Sequence, residues 1–166
     1  MAAGIFLWGP RAPSPQTDLA WAESSWCWYK HLLDLAEPTR TGVSRLPVYL
    51  WSRHHQHLVE RRFMHTFSPV YRDCTDRELN LALPEGEFRF GKYLHTMQID
   101  MDIYLQYLKE KFISKGGLLE QRKVDRLTDL SGQCDLAVNC SGLGARQLCG
   151  DTGVLPLRGQ ILREGT

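Results

Sequence analysis

Leu136-Ala137-Val138-Asn139-Cys140-Ser141-Gly142-Leu143-Gly144-Ala145-Arg146 is the stretch on which the fold turns. Its first five residues read as a short apolar strand, and they open directly into small residues that mark a tight turn. Ligands in open α/β sheets collect at the C-terminal ends of strands, where small residues let them reach the backbone. A G-x-G pair is common, however, and Gln147 stands where G-x-G-x-x-G requires its third glycine. On local grounds a plain tight turn fits better than a phosphate loop.

Working upstream, Leu118 to Val124 is expected to be a strand and Asp125 to Gln133 a polar connection. Asp100 or Asp102 can cap a helix that carries Met101, Tyr104, Leu105, Leu108 and Phe112 on one face, and Gly116-Gly117 frees the backbone to end it. Between Glu87 and Ile99 the residues favour extended structure interrupted at Gly91, as a pair of strands or one bent strand. Thr75-Asp76-Arg77-Glu78 has the form of a capping box, predicting a short helix to about Leu83, stopped by Pro84-Glu85-Gly86. Pro47 to Trp51 reads as a strand. A helix capped at Thr17 or Asp18 should run to Glu37-Pro38, with Leu19, Ala22, Trp26, Tyr29 and Leu33 at helical spacing and Trp21, Trp28, Leu32 and Leu35 widening the apolar face. At that spacing its three tryptophans are packing residues against a sheet. The prolines between Gly9 and Pro15 make a loop, and Leu155 to Leu162 a turn and strand.

Composition narrows the classes of function. The 166 residues are 43% hydrophobic, enough for one ordinary core. Lys+Arg 20 against Asp+Glu 19 gives a formal charge of +1, with no basic field for nucleic acid or anionic lipid. No apolar run approaches the roughly 20 residues of a membrane-spanning helix, and the start is too short for a signal peptide. The chain therefore reads as soluble and intracellular. Five cysteines, Cys27, Cys74, Cys134, Cys140 and Cys149, are odd in number and lack C-x-x-C spacing, so reduced and mostly buried thiols are expected. His54, His55 and His57 lie close together but have no acidic or Cys partner at metal-binding spacing, and a solvated strand end or loop explains them more simply.

Several stretches, taken in order and at their intervals, resemble the D-amino acid oxidase / D-aspartate oxidase family. They are Tyr104-Leu105-Gln106-Tyr107-Leu108, Gln121-Arg122-Lys123-Val124, Val138 to Gly144, Arg146-Gln147-Leu148, and Pro156-Leu157-Arg158-Gly159-Gln160-Ile161. Ala2-Ala3-Gly4 and the run from Asp76-Arg77-Glu78-Leu79 to Tyr93-Leu94-His95-Thr96 add to the likeness, which is strong from about Leu83 onward and weak between Trp8 and Thr75. The resemblance implies an α/β fold: part of an FAD-binding Rossmann-like sheet interleaved with part of a mixed-sheet substrate domain. Residues 1–166 would form one incomplete domain, an interior piece lacking the G-x-G-x-x-G unit and the segment beyond the Arg-Gly-Gln strand that carries the family's catalytic residues.

By the same resemblance the cofactor is FAD, with contacts at Ala3, Gly4, Ile5, the backbone of Val124, and Ser141 with Gly142. Ser141 stands where some members have Thr, which keeps a hydroxyl. No catalytic or metal-binding residue is carried over; Arg158 reads as a turn residue, and Tyr93, Tyr104 and Tyr107 as packing residues with tethered hydroxyls. The implied reaction is oxidative deamination of a D-amino acid, with the Asn139-to-Gly144 wording leaning toward D-aspartate, yet this chain is expected to be inactive alone. A non-catalytic interaction module, or another amine-oxidising flavoprotein of the same fold, are the alternatives. The family's partners are small D-amino acids, with room for a homo-oligomer. Its address is peroxisomal, but Arg163-Glu164-Gly165-Thr166 is not a peroxisomal tripeptide, which leaves the cytoplasm open.

Overall fold

A computed structural model describes residues 3–7, 15–55, 58, 64–81 and 87–156. The chain divides into two compact units, Met1–Leu118 and Leu119–Thr166. The first is built on one long strand. Strand β4 (Phe90–Asp100) pairs antiparallel along its length with β2 (Val43–Ser52), from Val43 opposite Ile99 to Ser52 opposite Phe90. On its other edge β4 meets two short strands in succession, β1 (Ala3–Ile5) at Gln98 to Asp100 and β3 (Tyr71–Asp73) at Lys92 to Leu94, both antiparallel.

The join between β1 and β3 falls opposite Thr96, where hydroxyls complete the ladder. Buried Thr96 donates its Oγ1 proton to the Phe6 carbonyl at 2.5 Å. Buried Ser68 accepts from the His95 and Val70 amides (3.2 and 3.3 Å) and donates to the His95 carbonyl at 2.7 Å. Two polar side chains are thereby buried without an unmet partner, which would otherwise cost about 1–3 kcal/mol each.

Helix α1 (Pro15–Leu35), the single turn α2 (Pro38–Thr41) and helix α5 (Met101–Ser114) accompany this sheet, with one-turn helices α3 (Met64–Phe67) and α4 (Asp76–Leu79) in the connections. Alternation along β4 places Met97 and Ile99 on one face, where they cluster with Leu32 of α1, Val43 of β2 and Tyr104 of α5. Full burial of an apolar side chain such as Leu32 is worth about 1.5–3 kcal/mol, so this cluster anchors both helices to the sheet. Gly42 makes the approach possible. It has φ +73°, and a Cβ there would lie 2.6 Å from the Asp100 carbonyl oxygen and 2.8 Å from the Tyr104 nitrogen.

The helix capped by Asp100 and the capping box at Thr75 form as expected; α4 ends at Leu79, and residues 82–86 lie outside the described residues. The long helix also forms, but it starts at Pro15, so Pro15 opens the helix instead of closing the loop and Thr17 and Asp18 lie inside the first turns and do not cap it, because a proline's fixed φ and missing donor suit a first helical position. The Glu87–Ile99 stretch is one strand starting at Phe90, not a pair. Gly91 sits inside it because a Cβ would fall 2.8 Å from Cys74 Sγ and 2.9 Å from Leu79 Cδ2.

Other expectations need correcting. Trp21 is 62% exposed, whereas Trp26 packs on Phe6 and Phe67 at ring separations of 5.4 and 5.9 Å. Trp28 serves α5 and not the sheet, donating Nε1–H to the Tyr104 hydroxyl at 3.0 Å. The cysteines are not mostly buried: Cys27, Cys134, Cys140 and Cys149 are exposed and Cys74 is half-buried.

Leu118–Val124, which crosses from the first unit into the second, and Leu136–Cys140 of the second unit are not strands. Among the described residues neither finds a ladder partner, and β-prone sequence without a partner has no hydrogen bonds to form. What is present is a 3₁₀ turn at Leu127–Leu130, another at Gly142–Gly144, and one-turn helix α6 (Ala145–Leu148). Leu136 and Val138 are 80% and 76% exposed, and Ala145 is the one buried residue among those described in this unit. The expected 155–162 strand and the Arg158 turn lie largely or wholly outside the described residues, as do Ala2, His57 and the Gly9–Ser14 loop.

Candidate functional site

The six residues expected beside a flavin fall in both units: Ala3, Gly4 and Ile5 in the first, Val124, Ser141 and Gly142 in the second. The first three form β1, opposite Asp100, Ile99 and Gln98. A Cβ on Gly4 would make ordinary contacts of 3.5–3.7 Å with Ile99 and Met101, so that glycine is not demanded by local packing. Ile5 is exposed.

In the second unit, the Ser141 amide and hydroxyl both donate to Asn139 Oδ1, at 3.1 and 2.7 Å. Such a side-chain-closed turn is what Asn supplies to a backbone about to reverse. Gly142 follows with φ +55° and nothing within 4 Å of a Cβ position. Its glycine is explained by the left-handed turn, the plainer of the two readings of this motif. Val124 is half-buried, while Ser141 and Gly142 are exposed.

The hydroxyl donor of Ser141 is spent within its own loop, open space surrounds Gly142, and β1 is paired with β4.

The tyrosines set aside as packing residues are tethered. Tyr104 accepts from Trp28, Tyr107 accepts from Lys111 at 3.1 Å, and Tyr93 lies 2.9 Å from His95 Nε2. Burial first, and then Tyr104, pushes the Tyr29 hydroxyl above its ordinary 10.0. His55 meets the Phe90 ring edge-on at 5.3 Å. No group of three or more His, Cys, Asp or Glu suited to a metal occurs among the described residues.

Sequence reasoning missed a polar knot at the far end of the sheet. The Glu78 carboxylate accepts five hydrogen bonds: two from the Arg72 guanidinium at 2.7 and 2.8 Å, two from the Thr75 amide and hydroxyl at 2.8 and 3.0 Å, and one from the Tyr49 hydroxyl at 3.2 Å. The Trp51 indole donates to the Glu78 carbonyl at 3.3 Å, and the Arg72 guanidinium lies 4.5 Å above the Tyr93 ring. Arg72, followed by the Thr75 amide, holds the Glu78 carboxyl far below its ordinary 4.5. A carboxylate so stabilised in its charged form is a poor proton donor or acceptor near neutral pH. The knot pins α4 to the sheet and is not acid–base machinery.

Three sequence similarities bear on this arrangement. Over 93 residues the chain is 37% identical to the human D-aspartate oxidase, covering 56% of this chain and 26% of that protein. It is 41% identical to a D-amino-acid oxidase of Rubrobacter xylanophilus over 93 residues, 56% and 27% of the two chains. A D-amino-acid oxidase of Dictyostelium discoideum matches at 29% identity over 160 residues, 94% of this chain and 43% of that one. No family model matches the chain. The chain spans less than half the length of these curated relatives.

Proposed function

From a chain that is a sequence relative of the D-amino-acid and D-aspartate oxidases, we propose a role in the oxidative deamination of D-amino acids, carried out by a larger protein of which these residues supply the sheet-and-helix body. The observation that carries this reading is the Dictyostelium similarity, which runs through 94% of the chain and so includes both units. In overall balance a D-amino acid, dioxygen and water give a 2-oxo acid, ammonia and hydrogen peroxide. FAD is the cofactor implied by the resemblance, and a Rossmann-like sheet completed by further strands is the setting in which Ala3, Gly4, Ile5, Val124, Ser141 and Gly142 would approach it. The wording from Asn139 to Gly144 favours the aspartate-acting branch, and the family likeness a peroxisomal address.

Alone, the chain is a non-catalytic body. Support comes from the Ser141–Asn139 closure and the open surroundings of Gly142, which leave no enclosing wall at these two residues among those described. No helix among the described residues is long and apolar enough to cross a membrane.

Two preparations test the reading. The chain purified free of loose flavin should show no visible flavin band and release no peroxide from D-aspartate or D-alanine. A bound-flavin spectrum would overturn its inactivity. Grafted in place of the matching portion of the Dictyostelium protein, it should yield a yellow protein that releases peroxide from a D-amino acid and not from its L form; a folded but colourless graft would sink the assignment of function.

A further inference from the structure

A recess of about 390 Å³ lies in the first unit between α1 and the face formed by β2 and β4. Its walls are apolar: Trp26 and Leu33 from the helix, Pro47 and Met97 from the strands, and Phe67 from α3. That volume is at the lower end of small-molecule pockets, about 300–1,000 Å³. Polar groups are confined to particular places. Lys30 and Arg45 line the recess as its cations; Tyr93 and His95 are occupied with each other at 2.9 Å, and the Thr96 hydroxyl is committed to Phe6.

The two cations are not equivalent. Lys30 is paired with Asp34 at 2.8 Å on the same helix. Arg45 is exposed on β2 and makes no hydrogen bond or ion pair among the described residues, although its charge acts on Asp34. Two cations against one carboxylate leave one net positive charge beside an apolar chamber. The free fork of a guanidinium suits a carboxylate that can accept two parallel bonds.

We propose that this recess binds a medium-chain aliphatic carboxylate, with the hydrocarbon between α1 and the sheet and the carboxylate on Arg45. The site is independent of the six expected flavin contacts and of the proposed deamination: it includes none of those residues and lies wholly within the first unit. Apolar burial supplies the affinity, and the cation supplies the choice between an acid and its neutral analogue.

Calorimetric titration of the full chain with octanoate and, separately, 1-octanol tests this. Octanoate should bind at one site and octanol about tenfold more weakly, the loss expected when one charge-assisted pair is missing. Arg45→Gln, at an exposed position, should remove the preference for octanoate while leaving octanol binding unchanged. Leu33→Trp should fill the chamber and abolish binding of both; circular dichroism and the thermal transition report whether each variant keeps its fold. Should Leu33→Trp not fold, the Arg45→Gln comparison decides. Equal binding of octanoate and octanol, no octanoate binding, or an unaltered preference in folded Arg45→Gln would each overturn the proposal.

Discussion

Glu78 is held by two strands and its own helix cap at once, so its protonation reports on the tertiary structure. Its folded pKa is lowered, chiefly by Arg72 and then by the Thr75 amide. A depressed carboxyl contributes stability that is present above its unfolded value, near 4.5, and lost as pH falls toward the folded value. The urea midpoint of the parent chain should therefore drop below pH 4.5 more steeply than that of Glu78→Gln, which lacks the titrating group. Parallel pH profiles for the two would show that the Arg72 pair is not maintained in solution. Half of this knot was legible: Thr75 and Glu78 stand at capping-box spacing. Arg72 and Tyr49 were not, because they meet Glu78 only through the pairing of β3 and β2 with Tyr93 and its neighbours on β4. The expected flavin contacts rest on resemblance alone, since no spacing joins Gly4 to Ser141.

Caps with a local signal at Asp100 and Thr75 formed where the sequence puts them, whereas strand-like sequence became strand only where it found a partner. Asp100 accepts from the Asp102 amide at 3.1 Å and caps α5, as its position before the apolar face suggests. Asp100→Ala should cost about 1 kcal/mol, the usual value of a lost N-cap, measured by chemical denaturation; a change within error would mean that the Tyr104 packing alone fixes the helix start. Leu136–Cys140 is apolar but has only Val138 as a strong strand former, whereas Pro47–Trp51 has Val48, Tyr49 and Trp51, and only the latter lies along β4. Strand β2 also runs past both ends of its expected range and through Pro47. A proline fits there because β2 has β4 on one side and no second neighbour among the described strands, so the missing donor can face outward. β1 was unreadable because three residues carry too little pattern to be distinguished from a loop.

The two units differ in how they hold their backbone. The first has a buried cluster of Leu32, Val43, Met97, Ile99 and Tyr104, whereas the second has Ala145 alone among its described residues. Local opening is governed by buried apolar contact and by hydrogen bonds shielded from water. Amide hydrogen exchange should be slowest in β4 and in the central turns of α5, and near the unprotected rate from Leu119 to Asn139. Strong protection of Leu136 to Asn139 would show that this stretch has found a ladder after all. The exposed Leu136 and Val138 are the surface that the larger protein of the proposed function would cover.

Every strand of the sheet touches β4 and no other strand, so the order in which the ribosome delivers the chain matters. β1, β2 and β3 all emerge before residue 90, and each must wait as an unpaired edge until β4 leaves the exit tunnel. The longest wait falls on Ala3–Ile5, whose partners are Gln98 to Asp100. Synthesis proceeds at about 5–20 residues per second. For several seconds, then, the nascent chain carries the apolar stripe of α1 with no sheet to receive it. That delay leaves the stripe open to other chains before the sheet can receive it.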